Sequence, residues 1–131
     1  IAGQMTGALT AAMILDGAGP TVVASHLSLL EAFAIEVSIT MVLMLSIFVV
    51  VRTEPSIVLL AVWVGVTVGL LAYLTGPATG ASMNPARTFG PNVVSGLWAS
   101  LLFYGTSTVL GAWFACDIKR LTFPENKELQ D

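Results

Sequence analysis

Charged residues are scarce in this sequence, and two long stretches of it lack them altogether. Only 10% of the 131 residues are charged, and none lies between Pro55 and Ala86 or between Thr88 and Cys116. Soluble domains carry charge at about 25% of their positions, so this composition excludes an ordinary soluble fold. With 56% hydrophobic residues and a mean hydropathy of +0.88, the chain has the composition of a membrane protein.

Basic clusters and cysteine pairs are also missing. The five Lys and Arg residues form no patch, which argues against nucleic acid as a partner. Cys116 is the only cysteine, so an internal disulfide and a cysteine-rich metal site are excluded, and we expect no cofactor and no metal. Because the first residue is Ile and the chain opens in an apolar run, we expect a C-terminal portion of a longer protein.

Apolar runs long enough to cross a bilayer, which takes about 20 residues, dominate the rest of the chain. We expect the end of a truncated membrane helix at residues 1–15 and complete membrane helices at residues 31–51, 57–75 and 97–116. The fold class is therefore an all-α membrane protein with several passes, and we expect it in a plasma or cytoplasmic membrane. A loop, a turn and a tail complete the order, at residues 16–30, 52–56 and 117–131.

The segment 76–96 interrupts this pattern with the string GPATGASMNPARTFGP, which begins at Gly76. Asn84 is a favourable N-cap, and Pro85 suits the first position of a helix. Glycine and proline ahead of Asn84 disfavour a helix, so we expect an extended approach and then a short half-helix from Asn84 to about Ser95. Non-helical backbone at membrane depth survives only where protein encloses it or where it lines a water-filled cavity. The segment therefore predicts a polar path through the membrane.

The positions of the positive charges predict how this segment crosses the membrane. Positively charged residues near the ends of spans favour the cytoplasmic side, so Arg52 and the pair Lys119-Arg120 should lie on the same side. Two spans between them allow this, and a third would not. We therefore expect segment 76–96 to be re-entrant, with loop 16–30 extracellular and the turn and tail cytoplasmic. Its half-helix would be roughly 15 Å long, about half of the hydrocarbon thickness.

The start of the half-helix has the chemistry of a filter for neutral solutes. A helix N-terminus presents unpaired N–H groups and about half a positive charge, which repels cations. The side-chain amide of Asn84 supplies donors, and the carbonyl groups of Gly80 to Met83 supply acceptors. Arg87 lies three residues after Asn84 on the same helical face. Its fixed charge suits a narrow filter, although an Arg that only extends to the membrane interface would have the same spacing.

The string GASMNPARTFGP, in which Asn84-Pro85-Ala86 is followed at once by Arg87, resembles the second signature loop of the aquaporin and glycerol-facilitator family. The resemblance extends along essentially the whole chain. It implies an aquaporin-like helical bundle, here one inverted-repeat half, that assembles as a homotetramer in the lipid bilayer. It also implies a passive channel that conducts water or small uncharged solutes such as glycerol and excludes protons and ions. The signature loop would comprise Gly80, Ala81, Ser82, Met83, Asn84, Pro85 and Ala86.

Apart from Glu31 at the very start of the span 31–51, Glu36 is the one acidic residue inside a predicted span. An intramembrane carboxylate faces a partner or a cavity. We expect Glu36 to accept hydrogen bonds from loop N–H groups that no helix satisfies, unless it lies close enough to the interface to be solvated. Thr40, four residues on, shares its face. The resemblance implies the same contact, because members of the family place Glu and then Thr at these positions to brace the signature loop.

By the same resemblance, the selectivity filter combines Arg87 with the groups at Ala72 and Ala81. Both alanines are small, and the missing His of water-specialised members at the first of these positions suggests a wider or less polar opening. Thr88 stands where glycerol facilitators usually have Asp, whereas the pair Phe103-Tyr104 is closer to the water-channel pattern. The choice between water and glycerol stays open, because a fourth filter residue and the first signature loop are expected in an N-terminal half outside this sequence.

Two other classes of membrane protein are compatible with parts of the sequence. A secondary transporter also uses broken helices at the membrane midplane, but we find no second discontinuous segment and no proton relay. An intramembrane enzyme would need a nucleophile and a base, for which Ser82 and His26 are the candidates. No GxSxG elbow is present and His26 lies in a loop, so we expect a channel and not an enzyme.

Overall fold

The computed structural model describes residues 1–122, and these residues form helices and no strand. Three of the helices are long and apolar enough to cross a membrane. The predicted all-α membrane fold is thereby confirmed. In chain order, the helices of the described residues are α1 (Ala2–Ile14), α2 (Leu29–Val51), α3 (Ile57–Thr79), α4 (Pro85–Val94) and α5 (Ala99–Thr122).

The second helix begins two residues earlier than predicted, at Leu29, because Ser28 caps it. Ser28 Oγ accepts a hydrogen bond from the Glu31 N–H at 3.3 Å, and Glu31 Oε2 accepts one from the Ser28 N–H at 2.8 Å. This reciprocal pair is a capping box, which satisfies two of the N–H groups that a helix start leaves unpaired. The Ser-x-x-Glu pattern is visible in the sequence, and the predicted start at residue 31 overlooked it.

The third helix continues to Thr79, so the predicted beginning of the loop at Gly76 is corrected. Pro77 lies in the last turn, where its ring removes a single backbone hydrogen bond and does not interrupt the rest of the helix. The helix ends at Gly80, which has a φ of 78° and donates from its N–H to Gly76 O at 2.8 Å. Glycine is the residue that adopts this left-handed conformation without strain, and it is a common helix end.

The last helix extends to Thr122, so residues 117–122 are helical and do not belong to a tail. Asp117 and Arg120, three residues apart, form an exposed ion pair at 3.6 Å, a spacing that supports a helix. Lys119 and Arg120 lie in the last turn, where positive charge interacts favourably with the helix dipole. The remainder of the expected tail, residues 123–131, lies outside the described residues.

The cationic residues of the span ends lie together at one end of the bundle. Lys119 Nζ lies 5.5 Å from the centroid of the Phe48 ring. Phe48 precedes Arg52, the residue that ends α2, by four residues, so Lys119 lies near the end of α2 that carries Arg52. The opposite end, which we call the loop end, carries the connection between α1 and α2. There the Ala24 N–H donates to Ala78 O, close to the end of α3, at 2.9 Å. This arrangement of charges is the one that a re-entrant segment requires.

The short helix α4 starts inside the bundle and returns to the loop end. Just before it, the Ser82 N–H donates to Glu36, which lies seven residues, or about 10 Å at 1.5 Å per residue, inside α2. At its other end, Ser95 Oγ donates to Gly17 O at 3.2 Å, in the connection between α1 and α2. The helix that the sequence placed from Asn84 to about Ser95 therefore has its N-terminus at depth and its C-terminus at the loop end.

Two glycines allow helices to pack backbone against backbone. A Cβ atom at Gly111 of α5 would collide with the carbonyl oxygen of Val37 and would lie 2.9 Å from the Cβ of Thr40 in α2. A Cβ atom at Gly90 of α4 would collide with the carbonyl oxygen of Ala8 in α1. Small residues at close helix contacts are typical of membrane proteins. The contacts of α2 with α5 and of α1 with α4 hold the elements that carry the site.

We predict that Gly111→Ala destabilises the full-length protein, because the added methyl group must push α5 away from α2. The expected loss is about 1–3 kcal/mol, measured as a lower melting temperature in detergent. Gly105→Ala on the same helix is the control, since a Cβ atom there meets no atom within 4 Å. Equal melting temperatures of the two variants would contradict this close packing.

Candidate functional site

Between α3 and α4 the chain leaves the helical conformation over residues 80–84. Gly80, Ala81 and Met83 have φ values of 78°, 45° and 52°, which lie in the left-handed region. Glycine adopts this region freely, whereas other residues pay about 1–3 kcal/mol each. The surrounding contacts must therefore hold Ala81 and Met83 in place.

The carboxylate of Glu36 supplies those contacts. This residue is fully buried, and its Oε1 accepts hydrogen bonds from Thr79 Oγ1 at 2.6 Å and from the Ser82 N–H at 3.0 Å. Its Oε2 accepts from the N–H groups of Ser82 and Met83, at 3.1 and 3.3 Å. Hydrogen bonds to a carboxylate are about twice as strong as those between neutral groups. Glu36 thus fixes the irregular backbone from its position on α2.

Thr40 makes no hydrogen bond to the loop, in contrast to the predicted bracing role. Its hydroxyl is buried and has no hydrogen-bond partner within residues 1–122. The Thr40 side chain lies instead against Gly111 of α5. The threonine that joins Glu36 is Thr79, whose Oγ1 also accepts from the Ala81 N–H at 3.3 Å. No local pattern in the sequence distinguishes Thr79 for this contact.

The carbonyl side of the same segment faces a groove of about 620 Å³. The N–H groups of Gly80 to Met83 all donate hydrogen bonds, whereas within residues 1–122 no group donates to their carbonyl oxygens. In a trans peptide the carbonyl oxygen points away from the N–H of the next residue, so the carbonyl oxygens of Gly80, Ala81 and Ser82 point away from Thr79 and Glu36, which accept from the following N–H groups. The groove is lined by Leu43, Val64, Val68, Ala72, Gly76, Gly80, Ala81, Ser82, Met83, Asn84 and Arg87.

The opposite wall of the groove is apolar and consists mainly of one face of α3. Val64, Val68, Ala72 and Gly76 follow one another at intervals of four residues, which places them on the same helix face. Their side chains become smaller toward the re-entrant segment. Sequence reasoning found only Ala72 in this row, and the four-residue spacing on either side of it is the signal that identifies the other three.

Asn84 begins α4 at the wall of the groove. Its backbone is extended, with φ −155° and ψ 119°, and its Oδ1 accepts a hydrogen bond from the Ala86 N–H at 2.9 Å. This is the geometry of an N-cap, and Pro85 occupies the first helical position. Within the described residues the side-chain Nδ2 of Asn84 donates no hydrogen bond. A free amide donor and the positive end of the α4 dipole therefore meet at the groove.

Arg87 lies one turn farther along α4 and also lines the groove. Its Nη1 donates to the carbonyl oxygen of Gly19 at 2.8 Å. Gly19 belongs to the connection between α1 and α2 and is 68 residues away in the sequence, so local patterns do not predict this contact. The structure thus brings Arg87, Ala72 and the backbone of Ala81, the three groups expected in a filter, onto one groove.

The candidate nucleophile and base of an enzyme are not paired. Ser82 Oγ donates to Asn84 O at 3.1 Å and lies 2.7 Å from Thr88 Oγ1. His26 is exposed in the connection between α1 and α2, and within residues 1–122 no hydrogen bond joins it to Ser82. A catalytic nucleophile needs an adjacent base, so this pair gives no support to an enzymatic function.

The three helices long enough to cross a membrane, with the short helix α4 that begins inside the bundle beside the groove, are those of an integral membrane protein. The sequence matches the family model of the major intrinsic proteins over residues 1–118. The chain therefore belongs to the major intrinsic protein family, and the resemblance to aquaporins seen in its signature loop is confirmed.

Several curated relatives that match the chain are named aquaporins. It is 34% identical to Aquaporin-4 of Bos taurus, over 99% of this chain and 44% of that protein. It is also 34% identical to Aquaporin NIP1-2 of Oryza sativa subsp. japonica, over 100% of this chain and 46% of the relative. Probable aquaporin NIP5-1 of Arabidopsis thaliana is 39% identical over 86% of this chain and 39% of the relative. The chain thus spans less than half the length of these three proteins.

We predict that Glu36→Gln lowers the stability of the full-length protein by about 2 kcal/mol, the size expected when a buried group loses its partner. Glutamine keeps one acceptor oxygen and carries an NH2 donor in place of the other. One side of the site, either that of Thr79 Oγ1 or that of the Met83 N–H, then meets a donor where it now has an acceptor, and the remaining bonds lose the carboxylate charge. The measurement is the melting temperature in detergent, with Glu54→Gln in the exposed turn after α2 as the control. A wild-type melting temperature for Glu36→Gln, together with altered permeation, would contradict the bracing role.

Proposed function

We propose that this chain forms one wall of a passive channel for water and small uncharged solutes. The observation that carries the proposal is the groove that Gly80 to Met83, whose carbonyl oxygens accept no hydrogen bond within residues 1–122, line together with the apolar side of α3. One wall offers hydrogen bonds, and the other offers none. Membership of the major intrinsic protein family and the aquaporin names of the relatives support the same function.

Permeation in this proposal is an exchange of hydrogen bonds. A water molecule or a hydroxyl group leaves partners behind in bulk water, and the carbonyl acceptors and the Asn84 amide replace them one after another. The row of Val64, Val68 and Ala72 adds no polar group, so no single position binds the solute tightly. Conduction requires this combination of favourable entry and weak, successive sites.

Two fixed positive groups exclude cations and protons in this proposal. The N-terminus of α4, with about half a positive charge, opens onto the groove at Asn84, and Arg87 adds a full charge one turn farther along. Charges repel more strongly where little water screens them. The hydrogen bond from Arg87 to Gly19 O keeps the guanidinium at the border of the groove, so it narrows the path to a filter.

The small side chains at the filter positions favour the passage of solutes larger than water. Ala72 and Ala81, which both line the groove, have small side chains. We therefore propose that glycerol-sized solutes pass as well as water. The described residues line the groove mainly from α3, α4 and the segment between them, and the remaining side of the pore would come from the N-terminal half that the aquaporin resemblance implies. A homotetramer with one pore in each subunit rests on the same resemblance.

The geometry favours a channel over a secondary transporter. A proton-coupled transporter uses an acidic group that exchanges protons during its cycle. Glu36 is the acidic side chain deep within a described span, whereas Glu31 and Asp117 lie nearer the ends of theirs. Glu36 is fully buried, and both of its oxygens accept hydrogen bonds from the re-entrant segment. This carboxylate therefore has a structural use in holding the loop, which favours a channel.

Stopped-flow light scattering of proteoliposomes tests the channel proposal. We expect the full-length protein to accelerate shrinkage under an impermeant osmolyte and re-swelling in a glycerol gradient. Ala72→Trp fills the groove and should return both rates to those of empty liposomes. Leu102→Trp is the control, because Leu102 is exposed on α5 and does not line the groove. A wild-type protein without permeation, or permeation that Ala72→Trp leaves unchanged, would overturn the proposal.

We predict that Arg87→Val keeps solute permeation and admits protons or cations, because the full positive charge at the groove is removed. The measurement is the proton and cation conductance of planar bilayers that contain the full-length variant. Arg120→Val is the control, since Arg120 is exposed at the end of α5 opposite to the loop end. Ion exclusion equal to that of the wild type would count against a filter role for Arg87.

A further inference from the structure

Asn92, in the last turn of α4, is a fully buried polar residue that does not line the groove. Its Oδ1 accepts a hydrogen bond from the Thr21 N–H at 2.8 Å, and its Nδ2 donates to Thr21 O at 2.9 Å. One side-chain amide thus engages both backbone groups of Thr21, as a neighbouring β-strand would. Nδ2 also donates to Ser100 Oγ at 2.7 Å, so α4, α5 and the connection between α1 and α2 meet at this side chain.

Thr21 closes the segment 17–21, which lies against both ends of α4. At the C-terminal end, Ser95 Oγ donates to Gly17 O at 3.2 Å. At the N-terminal end, Arg87 Nη1 donates to Gly19 O at 2.8 Å. Only Pro20 separates Gly19 from Thr21, and the proline ring fixes its own φ. A fixed Thr21 therefore restricts where the Gly19 carbonyl oxygen can lie.

The hydroxyl of Thr21 extends the same network toward the groove. It donates to Thr88 Oγ1 at 2.9 Å, Thr88 Oγ1 lies 2.7 Å from Ser82 Oγ, and Ser82 Oγ donates to Asn84 O at 3.1 Å. Thr21 Oγ1 also lies 3.3 Å from Asn92 Oδ1, so its one proton has two acceptors within reach. The three hydroxyl groups form a connected network from the loop to Asn84. A buried network with every member satisfied holds its parts rigidly.

We infer that Asn92 is a positioning residue for Arg87, because it fixes Thr21 and thereby the Gly19 carbonyl that holds the guanidinium at the groove. This inference rests on the proposed filter role of Arg87. Within residues 1–122 no hydrogen bond joins Asn92 to Arg87, so its effect passes through the segment 17–21. The selectivity of the channel therefore depends on a side chain outside the permeation path.

We call the two hydrogen bonds between the Asn92 side chain and the Thr21 backbone the clamp. Hydrogen exchange of the full-length protein in detergent tests the clamp without a permeation assay. Asn92→Leu keeps the approximate size of the side chain and removes its donor and acceptor. We expect amide exchange in residues 17–24 to become about tenfold faster, the effect of losing one to two net hydrogen bonds. Ser100→Ala is the matched control, because it removes the third partner of Asn92 and leaves both bonds to Thr21. Exchange equal to that of the wild type in Asn92→Leu would overturn the clamp.

Proteoliposomes then test whether the clamp acts through Arg87. We expect Asn92→Leu to retain water permeation and to leak protons or cations toward the level of Arg87→Val. In the double variant, Asn92→Leu should add nothing to the leak, because the residue through which it acts is already gone. Wild-type selectivity in Asn92→Leu, or a leak that adds in full in the double variant, would overturn the positioning role and leave the filter role of Arg87 intact.

The positioning role and the filter role can fail separately. If Arg87→Val keeps wild-type ion exclusion, the filter proposal fails and the positioning role fails with it, whereas the exchange data still show whether Asn92 fixes Thr21. Should Asn92→Leu not fold, Asn92→Ala takes its place in both assays. Failure of both variants to fold would overturn the positioning role in favour of a purely structural one.

Discussion

Backbone N–H groups that lie inside a membrane and outside a helix must find acceptors within the protein, and this constraint governs the structure. An unpaired N–H group in hydrocarbon is strongly unfavourable. Ser82 and Met83 present two such groups, and Glu36 accepts from both. A buried carboxylate is itself unfavourable unless donors converge on it, and the loop together with Thr79 provides that convergence. The non-helical backbone and the buried carboxylate therefore depend on each other.

The same constraint determines what the groove presents to a solute. Because the N–H groups of the re-entrant segment turn inward to Glu36 and Thr79, its carbonyl oxygens turn outward, and α4 begins with its positive end at the groove. The buried contact of Glu36 with this segment therefore determines which groups line the groove: the carbonyl acceptors, the Asn84 amide donor and the positive end of α4. The proposed conduction of neutral solutes and exclusion of cations uses only these groups and Arg87.

Much of this arrangement is predictable from the sequence, because it depends on local rules. The cap at Asn84, the half-helix after it and the charge of Arg87 one turn later follow from residue type and spacing, as does the need of an intramembrane Glu36 for partners. Of the predictions that fail, the bounds of α2 and α3 follow local rules that were overlooked, whereas the role of Thr40 depends on a tertiary contact. α3 runs past Gly76 because a proline in the last turn is tolerated, and Thr40 packs on α5 while Thr79 joins Glu36. The left-handed conformations of Ala81 and Met83, and the clamp of Asn92 on Thr21, have no local signal.

Substituted-cysteine accessibility is the measurement that most directly tests whether the re-entrant segment and the facing side of α3 line an aqueous path. The assay uses the full-length protein with Cys116 replaced by serine and a small water-soluble mercurial added from outside. The account predicts that Ala72→Cys reacts and that the reaction stops water permeation, whereas Leu102→Cys on the exposed side of α5 reacts slowly and without effect on permeation. Equal reactivity at the two positions, or reaction at residue 72 with permeation unchanged, would contradict it.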